Sequence, residues 1–360
     1  MISKLKRKTA SFFFLLQLRV KKMEKFAYAV KIYFSSKNRE AGSKTVYFNF
    51  PDQYLYNRYY YNLVKYFLIE GYTVYTNMDL MTLYYFASDE ATYRLLKEPN
   101  VIYGRRPAGS MELGAKTFNR DYFGSQKRGG VTYYVPLGQH PGMYFEGYWN
   151  EKYSVGKRKN SIFFAGNFRV DHYGLKENEN LFGVINRLNL YNFLVQKGLV
   201  TEKNSAQELD DFIGSEEDNK FILVNISKGY KIHYSKVRYY DSCFDFMFAF
   251  PGVLMPLCHN IVEIMSVGTI PFIQSAYAAV VQPPLIDGET CITFEGLDDV
   301  EQRMAYALSL PQSKVQQLRA NVQKYHDTHM SPSAIVKTLK SGDYDHVSLL
   351  AEYHSVSLLG

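Results

Sequence analysis

The sequence predicts an α/β protein of two βα domains with helices closing its C-terminal end. From residue 26 onward, short apolar runs rich in Val, Ile, Phe and Tyr alternate with runs whose apolar residues recur at helical spacing. Such alternation implies mostly parallel sheets with helices on their faces. The chain has 360 residues, 46% of them hydrophobic, which is more than one core usually holds and enough for two. The stretch "HPGMYFEGYWNEKYSVGKRKN", His140 to Asn160, is rich in Gly, aromatics and charge without a clear period, and reads as the connection between the halves. These signals divide the chain into an N-terminal extension (1–25), a first domain (26–150), a second domain (151–315) and a closing helix with a tail (316–360).

In the first domain "YAVKIYF" (Tyr28–Phe34) and "KTVYFNF" (Lys44–Phe50) read as strands. "NRYYYNLVKYFLIEGY" follows with helical spacing and closes at Gly71, where glycine ends helices readily. "YTVYTN" reads as the next strand, Asp79 to Lys97 as one helix, "NVIYG" as a strand, and "VTYYVPLG" as another beyond a polar stretch from Arg105 to Gly130. The second domain restarts with the strand "SIFFAGN", the helix "NLFGVINRLNLYNFLVQKG", the strand "KFILVNI", a helix from Tyr234 to Ser242, and the strand "FDFMFAF" ending at Pro251. A helix through "CHNIVE", the strand "TIPFI", and helices in "DDVEQRMAYALSL" and "SKVQQLRANVQKYHDTHM" complete the order.

Composition narrows the function classes. Cys243, Cys258 and Cys291 are few, odd in number and set in or beside apolar runs, which argues against a disulfide framework or a structural zinc site and fits a reducing cytoplasm. The formal charge of +7 is local, because Lys4, Lys6, Arg7, Lys8, Arg19, Lys21, Lys22 and Lys25 precede residue 26. The remainder is close to neutral, so no basic face points to nucleic acid. The N-terminal run Phe12–Leu16 is too short to span a bilayer and lacks the features of a signal peptide. It reads either as a basic, apolar anchor on an anionic membrane face or as an extension ahead of a start at Met23.

The polar start of one helix carries the functional signal. In "FAFPGVLMPLCHNIVEIMSVGTIPFI", Pro251 and Gly252 end a strand, and His259, Asn260 and Glu263 crowd the beginning of the helix beyond it. Ligands of open α/β sheets collect at carboxyl ends of strands, where helix starts offer free N–H groups. A purely structural alternative has Asn260 capping the helix and Glu263 closing an N-x-x-E capping box, which leaves His259 and the Pro-Gly pair unexplained.

That stretch, followed by "PPLIDGETCITFEGLDDVEQRMAYAL", resembles the donor region of GT-B glycosyltransferases, especially exostosin-like and group 1 enzymes. In that family a helix carries E-x-M/A-x-x-G-x-[IV]-P-[VF], matched here by Glu263, Met265, Gly268, Ile270 and Pro271. The resemblance implies two Rossmann-like domains facing each other across a cleft. It implies that Glu263 binds the nucleotide ribose, that Gly268 lets the next strand approach closely, and that Gly166 and Asn167 of "SIFFAGNFR" face the diphosphate. The likeness is confined to residues 160 to 310. It departs at Met255, where group 1 enzymes often have a second glutamate, and at His259, where exostosin-like enzymes tend to have arginine. The implied activity is transfer of a sugar from a nucleotide-sugar donor to a glycan, lipid-linked or other hydroxyl acceptor in cell-surface polysaccharide or glycoconjugate synthesis, in the cytoplasm or at the inner membrane face. The alternative is a GT-B-like protein that binds a nucleotide sugar or glycan without turnover.

Breaking a sugar–phosphate bond leaves negative charge on the departing nucleoside phosphate, which cationic side chains and backbone N–H groups can stabilise. Arg169, Lys228 and Lys231 follow the strands expected at 162–166 and 220–225, and a protonated His259 would add to them. No Asp-x-Asp pair occurs in either domain core, and the "DYD" of Asp343 and Asp345 falls in the tail, so neither a metal nor a cofactor is expected. An inverting enzyme needs a general base, for which His140 and Asp52 are the candidates. The near P-loop "GSMELGAKT" (Gly109–Thr117) has an alanine before Lys116, and no G-x-G-x-x-G follows a strand, which disfavours an NTPase and a nicotinamide enzyme. His326 and His329 of "HDTH" lack a third ligand nearby and read as polar surface.

Overall fold

The structure is a computed structural model that describes residues 20–359 apart from 38, 41, 51, 115–116, 125–128 and 154–155. The run Phe12–Leu16 and Lys116 of the near P-loop lie outside the described residues. The chain forms two compact α/β units, one up to Asn119 and one from Arg120. The division falls at Asn119/Arg120 rather than near residue 150, so the stretch beginning at His140 belongs to the second unit. There His140 donates its backbone N–H to Glu263, and Tyr148 and Glu151 accept hydrogen bonds from Arg238.

The first unit opens with a helix over residues 20–36, where the sequence reading placed a strand at Tyr28–Phe34. The alternation in "YAVKIYF" is real, but the segment continues a run containing Lys, Met, Glu and Ala, all helix formers, and one helix absorbs both. Strands β1 (Thr45–Asn49), β2 (Thr73–Thr76), β3 (Val101–Tyr103) and β4 (Met111–Gly114) form a parallel sheet in the order β3-β2-β1-β4. In β1 the alternate residues Val46 and Phe48 are fully buried, as the period-2 pattern requires. The stretch read as polar, Arg105–Gly130, contains β4 and β5 (Phe118–Asn119). Only Leu113 of β4 is buried, too weak a signal to stand out. The helix expected at Asp79–Lys97 is two, Leu80–Ser88 and Glu90–Lys97. Asp79 accepts from Thr82 N–H at 2.8 Å and Asp89 from Thr92 N–H at 2.9 Å, so each helix has its own aspartate cap.

In the second unit β6 (Thr132–Tyr134) pairs in parallel with β13 (His346–Ser348), so the C-terminal tail is held in place. Asp345 accepts from Val131 N–H at 2.8 Å, a structural duty for one of the two "DYD" aspartates. Between them lie β7 (Lys159–Gly166), β8 (Val200–Glu202), β9 (Phe221–Asn225), β10 (Phe244–Phe248), β11 (Ile270–Gln274) and β12 (Ile292–Phe294). These six form a parallel sheet ordered β12-β11-β10-β7-β9-β8. Every residue of β9, β10 and β11 is buried, as expected of parallel strands covered by helices on both faces. The helix Tyr234–Ser242 stands where the sequence placed it. The long helix expected after β7 is broken, with Gly183 left-handed at φ 65° between Glu177–Phe182 and Arg187–Gln196. The strand β8 and the helix Ala206–Gly214 had no place in the sequence reading.

Candidate functional site

From β7 the chain moves outward to β8 and β9, then returns past β7 to β10, β11 and β12. The winding therefore reverses between β7 and β10, and in such sheets a ligand crevice opens beyond the carboxyl ends at that switch point. Gly166 ends β7 there with Asn167 directly after it, and Pro251 and Gly252 follow β10. A Cβ on Gly166 would lie 2.4 Å from the Phe164 ring, and one on Gly252 would lie 2.7 Å from the Met255 carbonyl, so both places require glycine. The Asn167 side-chain oxygen accepts from the Ser227 hydroxyl at 2.6 Å and from Arg169 N–H at 3.0 Å.

One residue that joins these two strand ends escaped the sequence reading. Arg187, 3% exposed, donates from Nε to the Pro251 carbonyl at 2.9 Å and from Nη1 to the Asn167 carbonyl at 3.3 Å. Its guanidinium carbon lies 4.0 Å from the centre of the Tyr173 ring. Arg187 thus ties the ends of β7 and β10 together. The available signal was an arginine directly after the helix-capping Asn186, amid apolar neighbours.

A second constellation stands at the head of the helix His259–Met265. Glu263 is 4% exposed, and its Oε1 accepts from His259 Nδ1 at 3.0 Å and from the backbone N–H of His140 at 3.0 Å. Burial pushes its carboxyl up, but the opposing charge and hydrogen bond of His259, with the N–H of His140, outweigh burial and hold it below the ordinary glutamate value. The ring of His140 stacks on Tyr234 at 5.1 Å and meets His259 edge-on at 5.3 Å. Beneath them Asp241 is fully buried, and burial followed by the nearby charge of Glu263 pushes it well above the usual carboxylate range. Arg238 donates from Nε to the Ser266 hydroxyl at 3.0 Å, and that hydroxyl donates to the Glu263 carbonyl at 2.6 Å.

The structural alternative for the helix start does not form. Cys258, not Asn260, is the cap residue, without a side-chain cap bond, and Glu263 takes the His259 ring and the His140 N–H rather than the backbone N–H of the cap residue. Asn260 is 7% exposed, and its Oδ1 has no hydrogen-bond partner among the described residues. His140 caps the helix Pro141–Glu146, its Nδ1 accepting from Gly142 N–H at 3.1 Å. That bond puts the ring hydrogen of neutral His140 on Nε2, the donating tautomer. Gly268 adopts φ 69° in the turn that follows its helix, a left-handed place leading to Ile270 and Pro271 of β11.

The expected cations are dispersed. Arg169 pairs with Asp171 and Lys228 with Glu202, both through exposed side chains, and Lys231 is exposed in the loop before Tyr234. Asp52 is exposed at the start of the helix Gln53–Ile69 in the first unit and makes no side-chain cap bond. That unit has its own cavity of about 740 Å³ at the carboxyl ends of β2 and β3, lined among others by Tyr33, Tyr47, Tyr75, Lys37, Asn77 and Arg105. Among the described residues no three of His, Cys, Asp and Glu gather as a metal-ligating group, and no helix is long and apolar enough to cross a membrane.

Comparison with known proteins is sparse. No family model matches the chain, and no curated protein matches its sequence. Among solved structures, a glycosyltransferase from Rickettsia africae ESF-5 is similar to it with a TM-score of 0.37 at 10% identity, over 85% of this chain and 98% of that one.

Proposed function

We propose that the protein is a glycosyltransferase whose second unit holds a nucleotide-sugar donor in the crevice beyond β7 and β10. The observation that carries this reading is the placement of Glu263, an ionised carboxylate at the head of a helix beside a switch point, with Oε1 committed to His259 and His140. Its Oε2 takes no hydrogen bond among the described residues and is the atom offered to a ribose hydroxyl. Asn260 Oδ1, buried and unpartnered, is a second acceptor for the nucleoside. His259, whose Nδ1 lies 3.0 Å from that carboxylate, is the contact assigned to the donor phosphate.

In this account departure of the nucleoside phosphate is assisted by His259, by backbone N–H groups after Gly166 and Gly252, and by Lys231 and Arg169 as donor contacts, without a resident metal. Lys228, held by Glu202, contributes to the local potential. The acceptor hydroxyl, on a glycan or lipid-linked sugar, belongs to the tyrosine-lined cavity of the first unit. Asp52 and His140 are the two candidate bases for its proton, and His140 Nδ1 is already occupied by the Gly142 N–H. Products serving cell-surface polysaccharide or glycoconjugate synthesis at the inner membrane face fit the basic N-terminal segment.

The test is release of nucleoside phosphate from a panel of nucleotide sugars in excess chelator, with and without glycan acceptors. Release from one donor, stimulated by one acceptor class, is expected. Tight nucleotide-sugar binding with no release would make the protein a non-catalytic binder, and activity that needs added Mg²⁺ or Mn²⁺ would overturn the metal-free part.

A further inference from the structure

The amino edge of the second unit's sheet, opposite the carboxyl edge proposed for the donor, holds a cavity. Its volume is about 540 Å³, and its lining includes Trp149, Lys152, Tyr153, Arg158, Arg238 and His326. Its place follows from chain direction: Arg158 precedes β7, Ser242 precedes β10, and Ser266 and Val267 precede β11, and all three strands run parallel.

Two guanidinium groups line the cavity, and their hydrogen bonds go only to neutral oxygens. Arg238, 4% exposed, donates from Nε to the Ser266 hydroxyl and from Nη1 to the Tyr148 and Glu151 carbonyls, both at 2.9 Å. Its Nη2 makes no hydrogen bond among the described residues. Arg158 donates to the carbonyls of Phe244 and Val267 and to the Thr269 hydroxyl. Burial pushes both guanidinium groups down, Arg158 to about 10 with the help of Arg319, against the opposing pull of Asp245 on Arg158 and of Asp241, Glu151 and Glu263 on Arg238. The two rim carboxylates are already engaged: Glu151 accepts from the Tyr153 hydroxyl, and Asp327 from Gln323 and His326. The open Nη2 of Arg238 remains available, and a guanidinium matches a tetrahedral oxyanion in shape and charge.

We propose that this cavity is a binding site for a soluble phosphorylated small molecule, with the phosphate on Arg238 Nη2 and Lys152 and the remainder against Trp149 and Tyr153. The volume exceeds what a bare phosphate fills, and two aromatic rings with a polar floor suit a sugar or nucleoside. The site is independent of the donor assignment. Arg238 nevertheless reaches the helix of Glu263 through Ser266, so the two sites share one element.

Trp149 is the chain's one tryptophan, so intrinsic fluorescence reports on this cavity. The full chain would be titrated with inorganic phosphate, glucose 6-phosphate and unphosphorylated glucose in a buffer free of other oxyanions. Saturable change with the phosphorylated probes and none with glucose is expected. Lys152→Glu should weaken the response at least tenfold, while the distant surface change Lys197→Glu leaves it unaltered. Arg238→Lys, which keeps a charge but not the fork, should weaken it further, with folding checked by circular dichroism. Absence of saturation, equal affinity in Lys152→Glu, or a response only to vesicles of anionic phospholipid would overturn the proposal.

Discussion

His259 and Glu263 sit one turn apart on a seven-residue helix, with Nδ1 and Oε1 3.0 Å apart, and the same oxygen takes the backbone N–H of His140 from 123 residues away. The carboxyl is buried, yet His259 and His140 hold it ionised. A buried carboxylate kept charged beside the carboxyl edge of a parallel sheet is more than a capping device.

Glu263→Gln keeps the shape and an acceptor oxygen but removes the charge. Nucleoside diphosphate affinity should fall at least tenfold by calorimetry. Stability should fall as well, by about 1–3 kcal/mol, since a buried charged partner of His259 is lost. Unchanged affinity in a folded variant would leave Glu263 a purely structural residue.

Acid should dissect this pair. Because the folded Glu263 titrates below its unfolded value near 4.3, its contribution is fully present above that value and is lost as pH falls through the lower, folded one. Urea titrations from pH 6 to pH 3 should therefore show parent and Glu263→Gln converging in stability only below about pH 4.

Asp245 should behave in the opposite sense. It is 1% exposed, both carboxylate oxygens lack a hydrogen-bond partner among the described residues, and Arg319 Nη1 lies 3.7 Å away. Burial pushes it up to about 6, against the pull of Arg319 and Arg158. A carboxyl raised on folding costs stability as pH climbs from its unfolded value to its folded one. Asp245→Asn should thus gain relative to the parent between pH 4 and pH 7, seen as a rising difference in Tm. A constant difference across that range would show that Asp245 titrates normally.

Arg187→Lys tests the tie between β7 and β10. A lysine cannot span the Pro251 and Asn167 carbonyls, and losing charge-assisted bonds in a buried place should cost about 2–4 kcal/mol in urea unfolding. Nucleotide binding should weaken in parallel, because both strand ends move. A variant as stable as the parent would contradict this role.

The cations should rank by how they are held. His259→Ala should lower turnover roughly 10²- to 10³-fold, the scale for one preorganised electrostatic contact. Lys228→Ala, whose charge is already paired with Glu202 at the surface, should stay within a few-fold of the parent. Equal losses in both would mean that the donor phosphate lies nearer Glu202 than this account places it.

What the sequence revealed follows from how far each signal reaches along the chain. Strands β9, β10 and β11 are buried throughout and read as unbroken apolar runs, so both their position and the parallel class were legible. The head of the helix at His259 was legible because three polar groups interrupt such a pattern. Residues 20–36 misled because local alternation resembles a strand, whereas the helix depends on the longer segment. Arg187 and the His140–Glu263 bond could not be read, since burial of an arginine and a contact across 123 residues are decided by tertiary packing.

The most direct test of the central claim is a thermal-shift titration of the parent, Glu263→Gln and His259→Ala with nucleoside diphosphates carrying each common base. A ligand at 100 times its Kd adds about 2.7 kcal/mol to the folded state, which raises Tm by several degrees. The account predicts such a rise for one base in the parent and a much smaller one in both variants at the same concentration. No rise with any nucleotide, or an equal rise in all three proteins, would contradict a nucleotide-sugar site at the carboxyl edge of this sheet.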